Sequence, residues 1–150
     1  VLVVGSGGVG SAIAASLAAA GVGAIAVYDA RTESAQGLAQ RLKKHYPAIE
    51  VSTGSNDPAG FSVVVNATPM GMNPGDPLPM DVGRISSDAF VGEVVMKQEM
   101  TAFLAAAKER GCRYQIGTDM LFEQIPAYLE FFGYPTTTAD VLRSLAQLKY

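Results

Sequence analysis

The stretch Val1-Leu2-Val3-Val4-Gly5-Ser6-Gly7-Gly8-Val9-Gly10, followed by Ser11-Ala12-Ile13-Ala14-Ala15-Ser16-Leu17, decides the reading of this chain. An apolar run rich in Val reads as a buried strand, and the alanine-rich stretch as a helix. Between them Gly5, Ser6, Gly7, Gly8, Val9 and Gly10 supply a G-x-G-x-x-G turn, which in a strand–turn–helix context reads as a dinucleotide site. Gly5 permits the tight turn and Gly7 lets a pyrophosphate approach the backbone. Gly10 lets the helix pack close, with its free N–H groups facing the anion. Nineteen residues past Gly10, Asp29 ends a second apolar run, Ala24-Ile25-Ala26-Val27-Tyr28. A carboxylate there can accept both hydrogen bonds of an adenosine ribose diol.

The rest of the chain alternates in the same way. Helices are expected over about 9–20, 32–46, 101–110, 119–132 and 138–148, with strands near 49–52, 61–66, 89–96 and 112–116. Residues 69–79 hold four prolines and two glycines and read as loop. The expected fold is therefore α/β: a Rossmann-type, doubly wound, mainly parallel six-stranded sheet with helices on both faces, forming one domain over 1–150. Ligands of such sheets sit at the carboxyl ends of the strands, near the switch in strand order.

Composition narrows the chemistry. With 49% apolar and 17% charged residues the chain reads as a globular protein, and a net charge of −3 argues against nucleic-acid or anionic-membrane partners. No apolar run reaches the about 20 residues that span a bilayer. One Cys and one His leave no soft-ligand metal site, and a single thiol fits a cytoplasmic setting. Val1 falls inside a strand, so a preceding segment is expected.

Two loops carry the second signal. Asn66-Ala67-Thr68-Pro69-Met70-Gly71-Met72 follows one expected strand, and Gly117-Thr118-Asp119-Met120-Leu121-Phe122-Glu123-Gln124 follows another. With these motifs the whole chain resembles the C-terminal NAD(P)-binding domain of the shikimate/quinate dehydrogenase family. The resemblance implies that Gly5 to Val9 lie under the pyrophosphate. It further implies that the segment from Asp29, Ala30, Arg31 and Thr32 to Ser34 reads the adenosine ribose. Asn66, Ala67 and Thr68, with Pro69 and Met70 beyond them, would line the cofactor toward its nicotinamide end. Val94 and Gly117 would contact the nicotinamide through backbone groups, Met120 would pack on its ring, and Gln124 would bond substrate hydroxyls.

The chain also departs from that pattern. Asp29-Ala30-Arg31 stands where NADP-dependent members carry Asn-Arg-Thr, which favours NAD over NADP; a one-residue slip would instead offer Arg31 to a 2′-phosphate. Glu93 stands where the family has Asp. Met96 stands where a Tyr approaches substrate, which leaves shikimate, quinate or a related cyclohexane acid open. Pro126 lies within the helix that carries Gln124 and deletes its bond to the Phe122 carbonyl. The family's catalytic Lys and Asp belong to an N-terminal substrate domain, so no catalytic residue is assigned in this chain, and the helices over about 119–150 are expected to contact that domain. The implied reaction passes a hydride between nicotinamide and a ring alcohol. The alternative from another class is a non-catalytic NAD(P)-binding or sensor module.

Overall fold

A computed structural model describes residues 1–147. Its elements in chain order are β1 (Leu2–Val4), α1 (Gly8–Ala19), β2 (Ala24–Tyr28), α2 (Thr32–His45), β3 (Glu50–Thr53), β4 (Val63–Asn66), β5 (Phe90–Glu93), α3 (Ala102–Glu109), β6 (Arg113–Gln115), α4 (Gly117–Phe131) and α5 (Ala139–Leu145), with a 3-10 turn at Val82–Arg84 before β5. The six strands form one parallel sheet in the order β3-β2-β1-β4-β5-β6. Strand order therefore reverses between β1 and β4, which places a crevice at their carboxyl ends.

Register sorts the side chains onto two faces. Val3 pairs with Val27 and Val65, and that row continues through Gly92 to Gln115. On the β1–β3 half of this face, Val3, Ile25, Val27 and Val51 pack against Ala14 and Ala18 of α1 and Ala35, Leu38 and Leu42 of α2. Leu2, Val4, Val64 and Val91 point the other way, onto Met80, Val82, Ile85, Phe103, Leu104 and Ala107. Burial on both faces explains why these strands read as continuous apolar runs. The β4–β5 half of the first face has Val63, Val65, Phe90 and Gly92 lining a cavity between α1 and α4.

Several boundaries differ from the sequence expectation, each for a local reason. The strand expected to reach Met96 stops at Glu93, because the Glu93 carboxylate takes the N–H groups of Val94 and Val95. Met96 thus lies in the loop after β5. Thr101 and Thr138 are N-caps rather than helical residues, their hydroxyls accepting from Leu104 N and Val141 N. Helix α4 begins at Gly117, two residues early, and runs unbroken through Pro126. Helix α5 ends at Leu145, short of the expected Leu148, because Ala146 turns to extended backbone; Leu148 itself lies outside the described residues.

Candidate functional site

The site begins with three backbones in contact. Gly5 has φ +106°, a region L side chains avoid, and a Cβ there would collide with the Ala67 carbonyl. A Cβ on Gly10 would in turn drive into the Gly5 carbonyl and lie 3.2 Å from the Ala67 Cβ. The glycine turn, the first turn of α1 and the start of the β4 loop are therefore pressed together, and two of the glycines have internal reasons. Gly7 and Gly8 do not: a Cβ on either meets nothing within 4 Å. Gly7 is the N-cap of α1 and no side chain caps the helix, so its leading N–H groups face out of the fold. Ser6 Oγ, in the same turn, is buried without a hydrogen-bond partner among the described residues. An open backbone, an uncapped positive helix end and an orphaned hydroxyl fit a bound anion such as a pyrophosphate.

A cavity opens on each side of this helix end. The smaller, about 420 Å³, is lined by Gly5, Gly7, Tyr28, Asp29, Ala30, Arg31, Asn56, Ala67, Thr68, Pro69 and Met70, among others. The larger, about 650 Å³, is lined by Gly8, Val9 and the outer side of α1, by Val65, Glu93 and Val94, and by Met120 and Gln124 on α4. Of the residues singled out from sequence, the fold thus gathers the glycine turn, the β2 end and the β4 loop on one side. It gathers Val9, Val94, Met120 and Gln124 on the other. Met120 and Gln124 sit four apart on α4 and share one face; the Gln124 Oε1 accepts from Tyr128 Oη at 3.1 Å. Gly117 is buried where a Cβ would strike the Val95 carbonyl, so α4 starts hard against the β5 loop. Met96 is exposed and Thr32 opens α2; neither lines either of these two cavities.

Asp29 does double service at the smaller cavity. Its Oδ2 accepts from Ser6 N at 2.8 Å and its Oδ1 from Arg31 N at 2.9 Å, which ties the β2 end to the glycine turn. Each carboxylate oxygen keeps a second lone pair for a ribose hydroxyl. The Arg31 side chain is 77% exposed, with Nε 4.0 Å from Asp29 Oδ1, so its guanidinium swings largely in solvent.

Sequence reasoning gave Glu93 and Thr101 no role, yet they are the buried polar centre beside this site. Asn66, Glu93 and Thr101 are 0%, 3% and 0% exposed. Asn66 Oδ1 accepts from Thr68 N and Thr68 Oγ1, while its Nδ2 donates to Glu93 and to the Met70 carbonyl. Burial pushes the Glu93 carboxyl above the ordinary carboxylate range, and its hydrogen bonds pull it only part of the way back. An acid at the carboxyl end of a buried strand was the available signal. The lysines stand apart: Lys97 Nζ donates to Asn73 Oδ1 at 3.2 Å and lines neither cavity.

No family model matches the chain. Among curated proteins it is 32% identical, over 99% of its length, to the shikimate dehydrogenase (NADP(+)) of Streptomyces avermitilis. It is 37% identical, over 89%, to the quinate/shikimate dehydrogenase (NAD(+)) of Corynebacterium glutamicum. This chain is a homologue of the shikimate/quinate dehydrogenases. Among solved structures, the quinate dehydrogenase of Corynebacterium glutamicum in complex with NAD superimposes with a TM-score of 0.82 at 35% identity, covering 95% of this chain and 52% of that one. The chain spans about half the length of the curated relatives it matches, 53% and 49% for the two named. That half is consistent with the C-terminal NAD(P)-binding domain of the shikimate/quinate dehydrogenases.

Proposed function

We propose that this chain is the cofactor half of an NAD(P)-dependent dehydrogenase that oxidises a ring alcohol of a cyclohexane carboxylic acid such as shikimate or quinate, with NAD preferred. The observation that carries the reading is the uncapped end of α1 standing between two cavities, with Gly7 and Gly8 bare toward both. Gly5 to Val9 and the Ser6 hydroxyl would hold the pyrophosphate. Asp29 would accept from the adenosine ribose in the smaller cavity, beside Ala30, Arg31 and the Ala67–Met70 segment. The nicotinamide end would lie in the larger cavity against Val9, Val94 and Met120, with Gln124 turned to substrate hydroxyls.

The bound dinucleotide supplies hydride acceptance at its nicotinamide ring. The residues of this chain bind and orient it: Met120 and Val94 present an apolar wall that excludes water from one ring face, and Gln124 fixes a hydroxyl. None of them has the position or chemistry of the general base, and that role falls to a preceding substrate domain. Tyr128, Phe131, Phe132, Tyr134 and Leu145 are exposed on α4 and beyond, between 52% and 82%. Exposed apolar side chains gathered at this end of the chain ask for cover, and the half of the relatives' length that this chain does not span is the partner that fits.

The NAD preference rests on Asp29 and Ala30. A carboxylate about 4 Å from a 2′-phosphate costs up to about 4 kcal/mol at an effective dielectric near 20, less in solvent. Calorimetric titration of the chain with NAD and NADP at matched salt tests both levels. Tighter NAD binding that is lost in Asp29→Ala and kept in Arg31→Ala is the expected result. Tighter NADP binding lost in Arg31→Ala overturns the preference, and no binding of either overturns the dinucleotide reading.

A further inference from the structure

Glu93 closes β5 with every polar neighbour a donor. Its Oε1 accepts from Val94 N at 2.8 Å, Val95 N at 3.1 Å and Asn66 Nδ2 at 2.9 Å. Its Oε2 accepts from Asn66 Nδ2 at 3.2 Å and Thr101 Oγ1 at 3.0 Å. The Thr101 hydroxyl itself accepts from Leu104 N at 3.2 Å, which leaves its proton for the carboxylate. One side chain thereby joins three pieces of chain: the loop after β4, the loop after β5 and the cap of α3. The two loops are stitched a second time where Gln98 Nε2 donates to the Gly71 carbonyl at 2.6 Å. Gly71, at φ +99°, has room for a Cβ only 3.4 Å from the Thr101 side chain.

Those loops border the proposed cofactor site on both sides of the α1 end. Val94 lines the larger cavity, and Ala67, Thr68, Pro69 and Met70 line the smaller one. From β2, which carries Asp29, to β5 is three strand spacings, about 14 Å. A dinucleotide whose ribose sits at Asp29 and whose pyrophosphate sits at α1 must therefore reach the β5 loop with its nicotinamide half. We propose that Glu93 is a positioning residue for that half: braced against the buried Asn66 side chain and the Thr101 cap, it fixes the Val94–Val95 backbone and so sets the wall on which the nicotinamide rests. The inference rests on the dinucleotide reading. Glu93 acts through the two loops, since its carboxylate oxygens are committed to them.

The comparison that tests it uses NAD against ADP, which shares the adenosine and pyrophosphate but lacks the nicotinamide half. Titrations of the full chain are made for the wild type, Glu93→Gln and Glu93→Asp. Glu93→Gln turns an amide N–H toward groups that only donate, and is expected to weaken NAD about tenfold or more and ADP less than twofold. Glu93→Asp keeps the anion and is expected to recover most of the loss. Equal losses on both ligands, no loss on either, or an Asp chain no better than the Gln chain overturns the role while leaving the dinucleotide reading intact. A wild-type chain that binds neither ligand removes that reading and the inference with it. If Glu93→Gln does not fold, Thr101→Val takes its place, expected to weaken NAD about threefold and ADP not at all; equal effects there overturn the role.

Discussion

Replacing Gly7 by alanine separates a glycine kept for the fold from one kept for a ligand. Gly7 has φ −69° and ψ −165°, an extended conformation open to alanine, and its Cβ would meet no atom within 4 Å. In the protein alone the change only removes freedom from the unfolded chain, which stabilises by about 0.4–1 kcal/mol. For a chain of this size that raises the melting temperature by about 1–4 °C. Binding should move the opposite way. A methyl standing about 1.5 Å off the backbone occupies the space through which a pyrophosphate oxygen reaches the α1 N–H groups, forfeiting one or two charge-assisted bonds worth about 1.5–3 kcal/mol each. The expected result is a melting temperature unchanged or higher, with NAD affinity lowered about tenfold to about ten-thousandfold by calorimetry. NAD affinity within twofold of wild type would refute the placement of the pyrophosphate. Gly10→Ala is the contrast: its Cβ has no room beside the Gly5 carbonyl, so stability and binding should fall together.

Three other perturbations have defined outcomes. Glu93 has a native pKa raised by burial, so between the unfolded and the native value the native state binds more protons than the unfolded chain. Its stabilising contribution is complete below the ordinary carboxylate range and is lost as pH rises through the raised native value. Urea midpoints should show the wild type losing ground relative to Glu93→Gln as pH rises from the ordinary carboxylate range through the raised native value; a gap independent of pH would contradict this. Gly117→Ala should destabilise by about 1–3 kcal/mol in urea unfolding, because α4 must back away from the Val95 carbonyl; an unchanged midpoint would show that the helix start is not packed there. Arg143 bonds Asp119, Glu123 and Asp140 at 3.3, 2.6 and 3.1 Å and ties α5 to α4. In Arg143→Ala the amides of α5 should exchange with deuterium sooner while those of the sheet keep their rates, and added salt should have the same effect on the wild type.

The sheet was legible because its strands are buried on both faces and punctuated by glycine and proline. Parallel pairing followed from alternation with helices, and the glycine turn announced the crevice. Adjacency across the sheet was not legible. Nothing in the spacing of Asn66, Glu93 and Thr101 says that they meet, since 27 residues separate the first two and the contact arises only when β4 and β5 pair. The same blindness misplaced the end of β5: an apolar Val94-Val95-Met96 run looks like strand until a buried carboxylate claims its N–H groups. Local chemistry decided the helix starts. Thr101 and Thr138 have the residue type of a cap, whereas α4 starts at Gly117 without one, so a search for caps finds two of these three ends.

The meeting of two cavities at a single helix end has a consequence for how the chain counts its ligands. A mononucleotide carrying the adenosine and one carrying the nicotinamide would each bring a phosphate to the same few N–H groups, and each would exclude the other from that seat. Joined by a pyrophosphate, the two halves share the seat and the second half binds at an effective concentration in the millimolar range or above, set by a short linker. A mixture of the two mononucleotides should therefore compete where the dinucleotide cooperates. In the proposed placement the covalent bond between the halves is itself a recognised feature.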